Sequence, residues 1–242
     1  MDPALIVKCW AGCNAREVIA ELCRRGLLHG AAPGFGNQRR FAVRADNRER
    51  RVELARRLWN ASQAALSGPV ARYLVGRGIT VALPPTLRSA PALRRRDGTC
   101  GPAMVGRIDS IDGHLIGVHR TWLDRGPDGL WRRGDRAMLG RAAGGAVRLA
   151  AAAETLMVGE GVETCLGAMQ VTAIPAWAAL STSGLVALEL PAIVRTVIIL
   201  ADHDPNGVAD RRASPLRLRC CRRRAHLLVS ARTGPTPIRH CG

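Results

Sequence analysis

Two short apolar runs, each ending at carboxylates, constrain the fold of this chain more than any other feature. Residues 156–158 precede Glu160, and residues 197–201 precede Asp202 and Asp204. Runs of this length that are rich in aliphatic side chains are typical of buried strands in a parallel sheet, with helices between them. The carboxyl ends of such strands meet at one edge, where α/β sheets bind ligands. The sequence therefore predicts an α/β fold with a mainly parallel sheet and three acidic residues gathered at its carboxyl edge.

Carboxylates that lie close together repel each other unless a cation joins them. Their oxygens are hard ligands that suit Mg²⁺ or Mn²⁺, and such ions commonly act on phosphates. Glu160, Asp202 and Asp204 are therefore predicted to be both catalytic and metal-binding. The alternative is that acidic residues merely stabilise helix N-termini, which is sufficient to explain Glu163 in the turn that follows.

Glu160 stands between two glycines, a pattern that also occurs in dinucleotide-binding folds. The charge is wrong for that interpretation, because a pyrophosphate would meet Glu160 and Glu163 at the start of the helix. A metal ion between carboxylate and phosphate would reverse this objection. The third glycine of the pattern is also replaced, by Thr164.

The segment that begins at Asp202 matches the first half of an EF-hand calcium loop. Its twelfth position is Ala213, which cannot supply the bidentate carboxylate, and the segment follows a strand rather than a helix. In an extended chain Asp202 and Asp204 share a face, while His203 points away and is interpreted as a packed or solvated imidazole.

These residues resemble the Toprim domain, the catalytic module of topoisomerases and primases, over residues 150–210. The connecting segment 175–184, together with 72–79 and 117–122, is similar to primase-like proteins of phages, plasmids and integrated elements. The resemblance implies Mg²⁺-dependent (or Mn²⁺-dependent) nucleotidyl or phosphoryl transfer. It gives Glu160 the role of general acid or base near the metal and assigns the ion to the two aspartates. DNA, nucleoside triphosphates and a replicative helicase are the implied partners.

The composition permits a nucleic-acid partner without requiring one. The formal charge is +17, but nine of the arginines lie in residues 211–242, which contain no acid, so the remainder carries +8. Aromatic residues make up only 3% of the chain, so stacking platforms for single strands are not visible.

No run approaches the roughly 18 apolar residues of a membrane span, and no signal-peptide pattern opens the chain, which predicts a cytoplasmic protein without membrane contact.

The N-terminal region, residues 1–30, contains Cys9 and Cys13, which form half of a zinc site. It resembles the second knuckle of the zinc-binding domain that precedes Toprim in primases, as if the chain began inside that domain. The pair is predicted to be a partial Zn²⁺ site, with a disulfide or buried thiols as alternatives.

Residues 31–46 are predicted to be a linker, and residues 47–149 a helical and β-hairpin region with helices at 48–66 and 69–79. Asp112 and Gly113 predict the hairpin turn. The candidate substrate-binding residues are Arg107, His119 and Arg120 on the strands, and Gly161 beside the acidic site.

Residues 211–242 change abruptly to arginine and cysteine, with strand character only at 225–229. This indicates a change of reading frame, a truncation or a disordered tail, and with it the loss of an acidic group that many Toprim domains carry.

The leading predicted function is that of a primase-like enzyme that makes RNA primers for a mobile element. The alternatives are a Toprim nuclease, which would hydrolyse a phosphodiester, and a non-catalytic DNA-binding remnant.

Overall fold

The computed structural model describes residues 21–22, 24–27, 38–65, 67–202 and 224–230, with side chains over 21–22, 24–27, 47–65 and 67–200. By compactness the chain divides into one unit from Met1 to Ala45 and a second from Asp46 to Gly242. The second unit contains every strand that is described.

Four helices are described: α1 (Gln38–Ala61), α2 (Gly68–Gly76), α3 (Val162–Thr172) and α4 (Thr182–Ala187). Helix α1 takes in residues 38–46 of the predicted linker, because this stretch has neither glycine nor proline and contains good helix formers. None of the helices in the described part of the chain is both long and apolar enough to span a membrane.

Ten strands in the described part of the chain form one mixed sheet: β1 (Gln63–Ala64), β2 (Leu87–Arg94), β3 (Cys100–Asp109), β4 (Leu115–Arg125), β5 (Trp131–Gly140), β6 (Ala146–Arg148), β7 (Thr155–Gly159), β8 (Ala176–Ala178), β9 (Thr196–Asp202) and β10 (Arg224–Ser230). The order is β1-β2-β3-β6-β8-β7-β9-β10, with β4 between β3 and β5.

The predicted α/β fold is confirmed. Strands β8, β7, β9 and β10 pair in parallel, and the strands that precede them in the chain pair antiparallel. Strand β6 joins the two parts, because it pairs with β3 on one side and with β8 on the other. The antiparallel region and the parallel region therefore share one continuous sheet.

Helices cover both faces of this sheet. On one face, apolar residues of α2 and α3 such as Leu74 and Leu166 pack against Met104 and Met157. On the opposite face, Leu185 of α4 packs over the parallel strands, and α1 packs over the antiparallel ones. Successive residues of β7 alternate between the two clusters, as expected of a strand that is buried on both sides.

The hairpin predicted at Asp112 and Gly113 is present between β3 and β4, where Gly113 has φ +81° and donates its N–H to the Ser110 carbonyl. Strands β2 and β5 were not predicted. Strand β5 is a sheet edge whose residues are exposed or only partly buried, and its four charged residues and two glycines interrupt the apolar alternation that identifies a strand.

Candidate active site

Glu160 lies directly after β7, at the carboxyl edge of the sheet. Gly161 follows as the N-terminal cap of α3, with extended backbone angles of φ −95° and ψ 139°. A helix N-terminus presents free backbone N–H groups and a partial positive charge, which favour an anion there. The turn therefore places a carboxylate and a set of anion-binding amides side by side.

Asp202 is the last residue of β9, which is the parallel neighbour of β7. Gly159 is level with Leu200 in this pairing, so Asp202 lies one residue beyond the level of Glu160, on a strand about 4.8 Å away. Asp204 and His203 lie outside the described residues. The structure thus brings the backbones of Glu160 and Asp202 to the same short stretch of sheet edge.

The connections that follow β7 and β9 run to opposite sides of this strand pair. The chain passes from β7 to its neighbour β8 on one side, and from β9 to its neighbour β10 on the other side. A crevice opens between two strands whose following connections diverge, and this is the usual ligand site of α/β sheets. By this rule the crevice lies between the end of β7, where Glu160 follows, and the end of β9 at Asp202.

Glu160 is held by the segment that runs from the end of β8 into the first turn of α4. The Thr182 hydroxyl donates to Glu160 Oε1 at 2.7 Å, and the Leu180 N–H donates to the Glu160 carbonyl at 3.1 Å. Leu180 has φ +70°, a left-handed conformation that is uncommon for leucine and that is enriched at functional sites. Among the described side chains no arginine pairs with Glu160, so its negative charge is not neutralised within this part of the protein.

The donor atoms fit a divalent ion, because carboxylate oxygens are what Mg²⁺ and Mn²⁺ prefer and Glu160 has no described cationic partner. Among the side chains that the structure describes, no three acidic, histidine or cysteine residues form a metal-binding group. Two of the three predicted ligands lack described side chains, so the predicted metal set stays a prediction.

Gly159 is required by packing rather than by backbone conformation. A Cβ atom there would lie 2.9 Å from Cys165 Sγ and 3.2 Å from Leu200 Cβ, and Cys165 is completely buried. The glycine lets α3 lie close against β7 and β9, which places the start of α3 beside the carboxylate.

We expect Gly159→Ala to destabilise the protein by about 1–3 kcal/mol, because neither buried neighbour can move away freely. Urea unfolding measures this change. The control is Gly167→Ala in the facing helix α3, where a Cβ atom meets nothing within 4 Å and stability should rise by up to about 1 kcal/mol. Equal effects of the two substitutions would contradict the packing argument.

The predicted substrate-binding residues on β3 and β4 do not share one face of the sheet. His119 lies on the face covered by α2 and α3, whereas Arg120 lies on the face covered by α1, next to Val118 and Trp122. Arg107 is engaged locally, since its Nε donates to Asp109 Oδ1 at 2.6 Å and its Nη2 donates to the Gly113 carbonyl. Their proposed contacts with substrate stay predictions.

Glu163 has a contact that sequence reasoning missed. Its Oε1 accepts a hydrogen bond of 2.8 Å from the hydroxyl of Tyr73, which is buried in α2. Burial raises the pKa of Tyr73, and the neighbouring Glu163 charge raises it further. Ninety residues separate the two, so no local pattern could reveal the pair, which ties α2 to the first turn of α3.

His119 lies near Glu163 and is neutral at neutral pH. Burial lowers its pKa from 6.5 to about 4, the negative charge of Glu163 opposes this, and Arg136, Arg120 and Arg133 lower it further. A neutral imidazole can offer a hydrogen bond to a substrate but not a positive charge.

This lowered pKa predicts how stability depends on pH. In the unfolded chain His119 binds a proton below about pH 6.5, whereas in the folded protein it binds one only below about pH 4. Stability therefore falls as the pH is lowered from about 6.5 to about 4. His119→Gln should remove about 2 kcal/mol of the loss between about pH 7 and about pH 5, measured by urea unfolding at each pH. Identical pH profiles for the parent and the variant would show that His119 titrates normally in the fold.

The predicted zinc half-site lies outside the described residues, as do most of the positions in the predicted tail. Within that tail, β10 confirms the strand predicted at 225–229, and it pairs in parallel along β9. The interpretation of the tail as a change of reading frame stays a prediction.

Two family models match consecutive parts of the chain. The Toprim domain matches residues 155–234, and a domain of unknown function, DUF7146, matches residues 49–149. The Toprim match extends beyond the predicted boundary at residue 210 and includes β10. No curated protein matches the sequence.

Several solved primase structures are similar to this chain. A DnaG primase catalytic domain bound to ssDNA has 17% identity and a TM-score of 0.48, with 77% of this chain and 75% of that chain covered. The E. coli primase catalytic core has 18% identity and a TM-score of 0.48 over 76% and 73% of the two chains. The RNA polymerase domain of Mycobacterium tuberculosis primase DnaG has 16% identity and a TM-score of 0.46, with 76% of each chain covered.

Proposed function

We propose that this chain catalyses Mg²⁺-dependent nucleotidyl transfer on a nucleic-acid template, in the manner of a primase, because a Toprim domain model matches its residues 155–234. The observation that carries this proposal is the placement of Glu160 and Asp202 at the ends of neighbouring parallel strands, on either side of the crevice. The high positive charge of the chain supports a polyanionic substrate.

The reaction joins a nucleoside triphosphate to the growing strand. The 3′-hydroxyl attacks the α-phosphorus, a new O3′–P bond forms, the bond between the α- and β-phosphates breaks, and pyrophosphate leaves. Glu160 accepts the proton of the attacking hydroxyl, and Thr182 orients the carboxylate for this by occupying Oε1. The N–H groups at the start of α3, beginning after Gly161, bind phosphate oxygens of the incoming nucleotide.

Asp202 and Asp204 would hold the metal ion, with Glu160 near it. A bound Mg²⁺ supplies neutralisation of the charge that develops on the phosphate oxygens. The aspartates contribute the negative charge that attracts the ion to the crevice, and the buried strand β9 keeps Asp202 in place.

The proposal predicts that Asp202→Asn combined with Asp204→Asn weakens Mg²⁺ or Mn²⁺ binding by at least about tenfold, because neutral amides lose most of the attraction to a divalent cation. Titration calorimetry of the purified protein measures this, with Asp135→Asn, a change in the antiparallel region, as the control. Equal affinities of the parent and the double variant would refute the metal site.

A nuclease would use the same residues, so the products decide between the two. A primase joins labelled ribonucleotides on a single-stranded template, whereas a nuclease shortens the template without added nucleotides. If neither product appears with Mg²⁺ or with Mn²⁺, the chain is a non-catalytic remnant and the proposal fails.

A further inference from the structure

Arg120 lies on the sheet face that α1 covers, close enough to two arginines of other elements for their positive charges to act on it. We call Arg51 of α1, Arg96 of the β2–β3 hairpin and Arg120 of β4 the arginine cluster. This face is opposite to the one that carries His119. Strand β4 lies four strand positions from β7, which corresponds to about 19 Å across the sheet. The cluster is therefore separate from the crevice at Glu160.

Arg120 occupies the centre of the cluster and is partly buried. Its guanidinium carbon lies 5.1 Å from the centre of the Trp122 ring, and its Nη2 makes one long hydrogen bond of 3.4 Å to the Met138 carbonyl. Its Nε is buried and has no hydrogen-bond partner among the described residues. A buried donor without a partner is costly, and a charged donor especially so.

The other two arginines are brought to Arg120 by packing. Arg51 lies one helical turn before Ala55, which is buried against Val105 and Val118. The tip of the β2–β3 hairpin is held beside β4, because Trp122 Nε1 donates to the Leu93 carbonyl at 2.9 Å. Arg96 follows in this hairpin tip, and both Arg51 and Arg96 are exposed.

The cluster contains no compensating acid. Burial lowers the pKa of Arg120, and the positive charges of Arg96 and Arg51 lower it further. The acidic side chains of β4 and of the β2–β3 hairpin tip are engaged elsewhere: Asp124 forms an ion pair of 2.6 Å with Arg95, and Asp97 accepts from Thr99. In the part of the chain with described side chains, none of the three arginines takes part in an ion pair.

We propose that the arginine cluster binds the phosphodiester backbone of a nucleic-acid strand at a second contact, outside the crevice. Arginine is suited to this because its planar fork of donors matches phosphate oxygens. A free nucleotide is a poorer fit, since the ring next to Arg120 belongs to Trp122, which is 2% exposed and cannot stack with a base. The contact therefore recognises phosphate and is independent of sequence.

The test measures binding of a labelled single-stranded DNA of about 16 nucleotides by fluorescence anisotropy at several salt concentrations, with EDTA present so that catalysis does not enter. Arg51→Ala and Arg96→Ala are the variants, because both side chains are exposed and their loss should not affect folding. Each is expected to weaken binding about three- to tenfold at low salt and to reduce the slope of log K against log salt by about 0.7.

The control is Arg195→Ala, which removes an exposed arginine just before β9, at the amino edge of the sheet. It should leave the salt slope unchanged. The inference would be overturned if Arg51→Ala and Arg96→Ala had the same slope of log K against log salt as the parent protein or as the control variant. Weaker binding of ATP with unchanged binding of DNA would also overturn it, since the site would then hold a small anion. Glu160→Gln tests the proposed function separately, because it should greatly reduce nucleotide transfer without changing DNA affinity. A failure of the proposed function can therefore be told apart from a failure of this inference.

Discussion

Replacing Glu160 with glutamine is expected to reduce the rate of nucleotide transfer by about 10²- to 10⁴-fold. The substitution removes the proton acceptor and the negative charge but keeps the shape of the side chain. Thr182 can still donate to the amide oxygen, so the turn between β7 and α3 should remain in place. Primer extension with saturating nucleotide and Mg²⁺ measures the rate.

The control is Glu154→Gln, the same chemical change immediately before β7, at the opposite end of the strand. Glu154 is exposed, and its structural contacts are made by its carbonyl, which accepts from Arg195 and Thr196. This variant should retain full activity. Primer synthesis by Glu160→Gln at the rate of the control would refute the role given to Glu160.

The second large effect is on stability. Trp177→Ala should lower the free energy of unfolding by about 3–5 kcal/mol, because the ring is 2% exposed at the centre of β8 and its loss leaves a cavity. Two polar contacts are lost as well: the indole Nε1 donates to the Ala150 carbonyl at 2.9 Å, and Arg148 lies 4.5 Å above the ring. This loss is a large part of the roughly 5–15 kcal/mol that stabilises a typical domain.

Urea unfolding followed by circular dichroism measures the effect, with Trp131→Ala as the control. Trp131 is only partly buried on the edge strand β5, so its loss should cost less than about 2 kcal/mol. Trp177→Phe should fall between the two, since it keeps most of the apolar area but leaves the Ala150 carbonyl without its indole donor. A smaller loss for Trp177→Ala than for Trp131→Ala would contradict the view that β8 is a central strand.

The parallel part of the fold was predictable because its signals are local. The runs before Glu160 and Asp202 are buried on both faces, so every residue in them is apolar, and the chain must end each run with polar residues where the sheet meets water. The rule that parallel strands share a carboxyl edge then brings the two acids together.

The remaining features depend on contacts between distant parts of the chain. Strand β5 lacks a regular apolar pattern because it is an exposed edge, and its identity as a strand depends on pairing with β4. The hydrogen bond from Tyr73 to Glu163 joins residues 90 positions apart, and in the sequence Glu163 was indistinguishable from an ordinary acid at a helix start. The division of Arg107, His119 and Arg120 between two faces likewise follows from the register of β3 and β4.

The three-residue strand β6 has a consequence for how this protein can be divided. It is the only described strand that bonds to both the antiparallel and the parallel region, through Ile108 and Asp109 on one side and Trp177 and Ala178 on the other. A fragment that starts at residue 150 would leave β8 as an open edge with unpaired backbone groups, which invites aggregation. The two family matches thus describe parts of one cooperative folding unit, and expression of either part alone should give insoluble or poorly folded material.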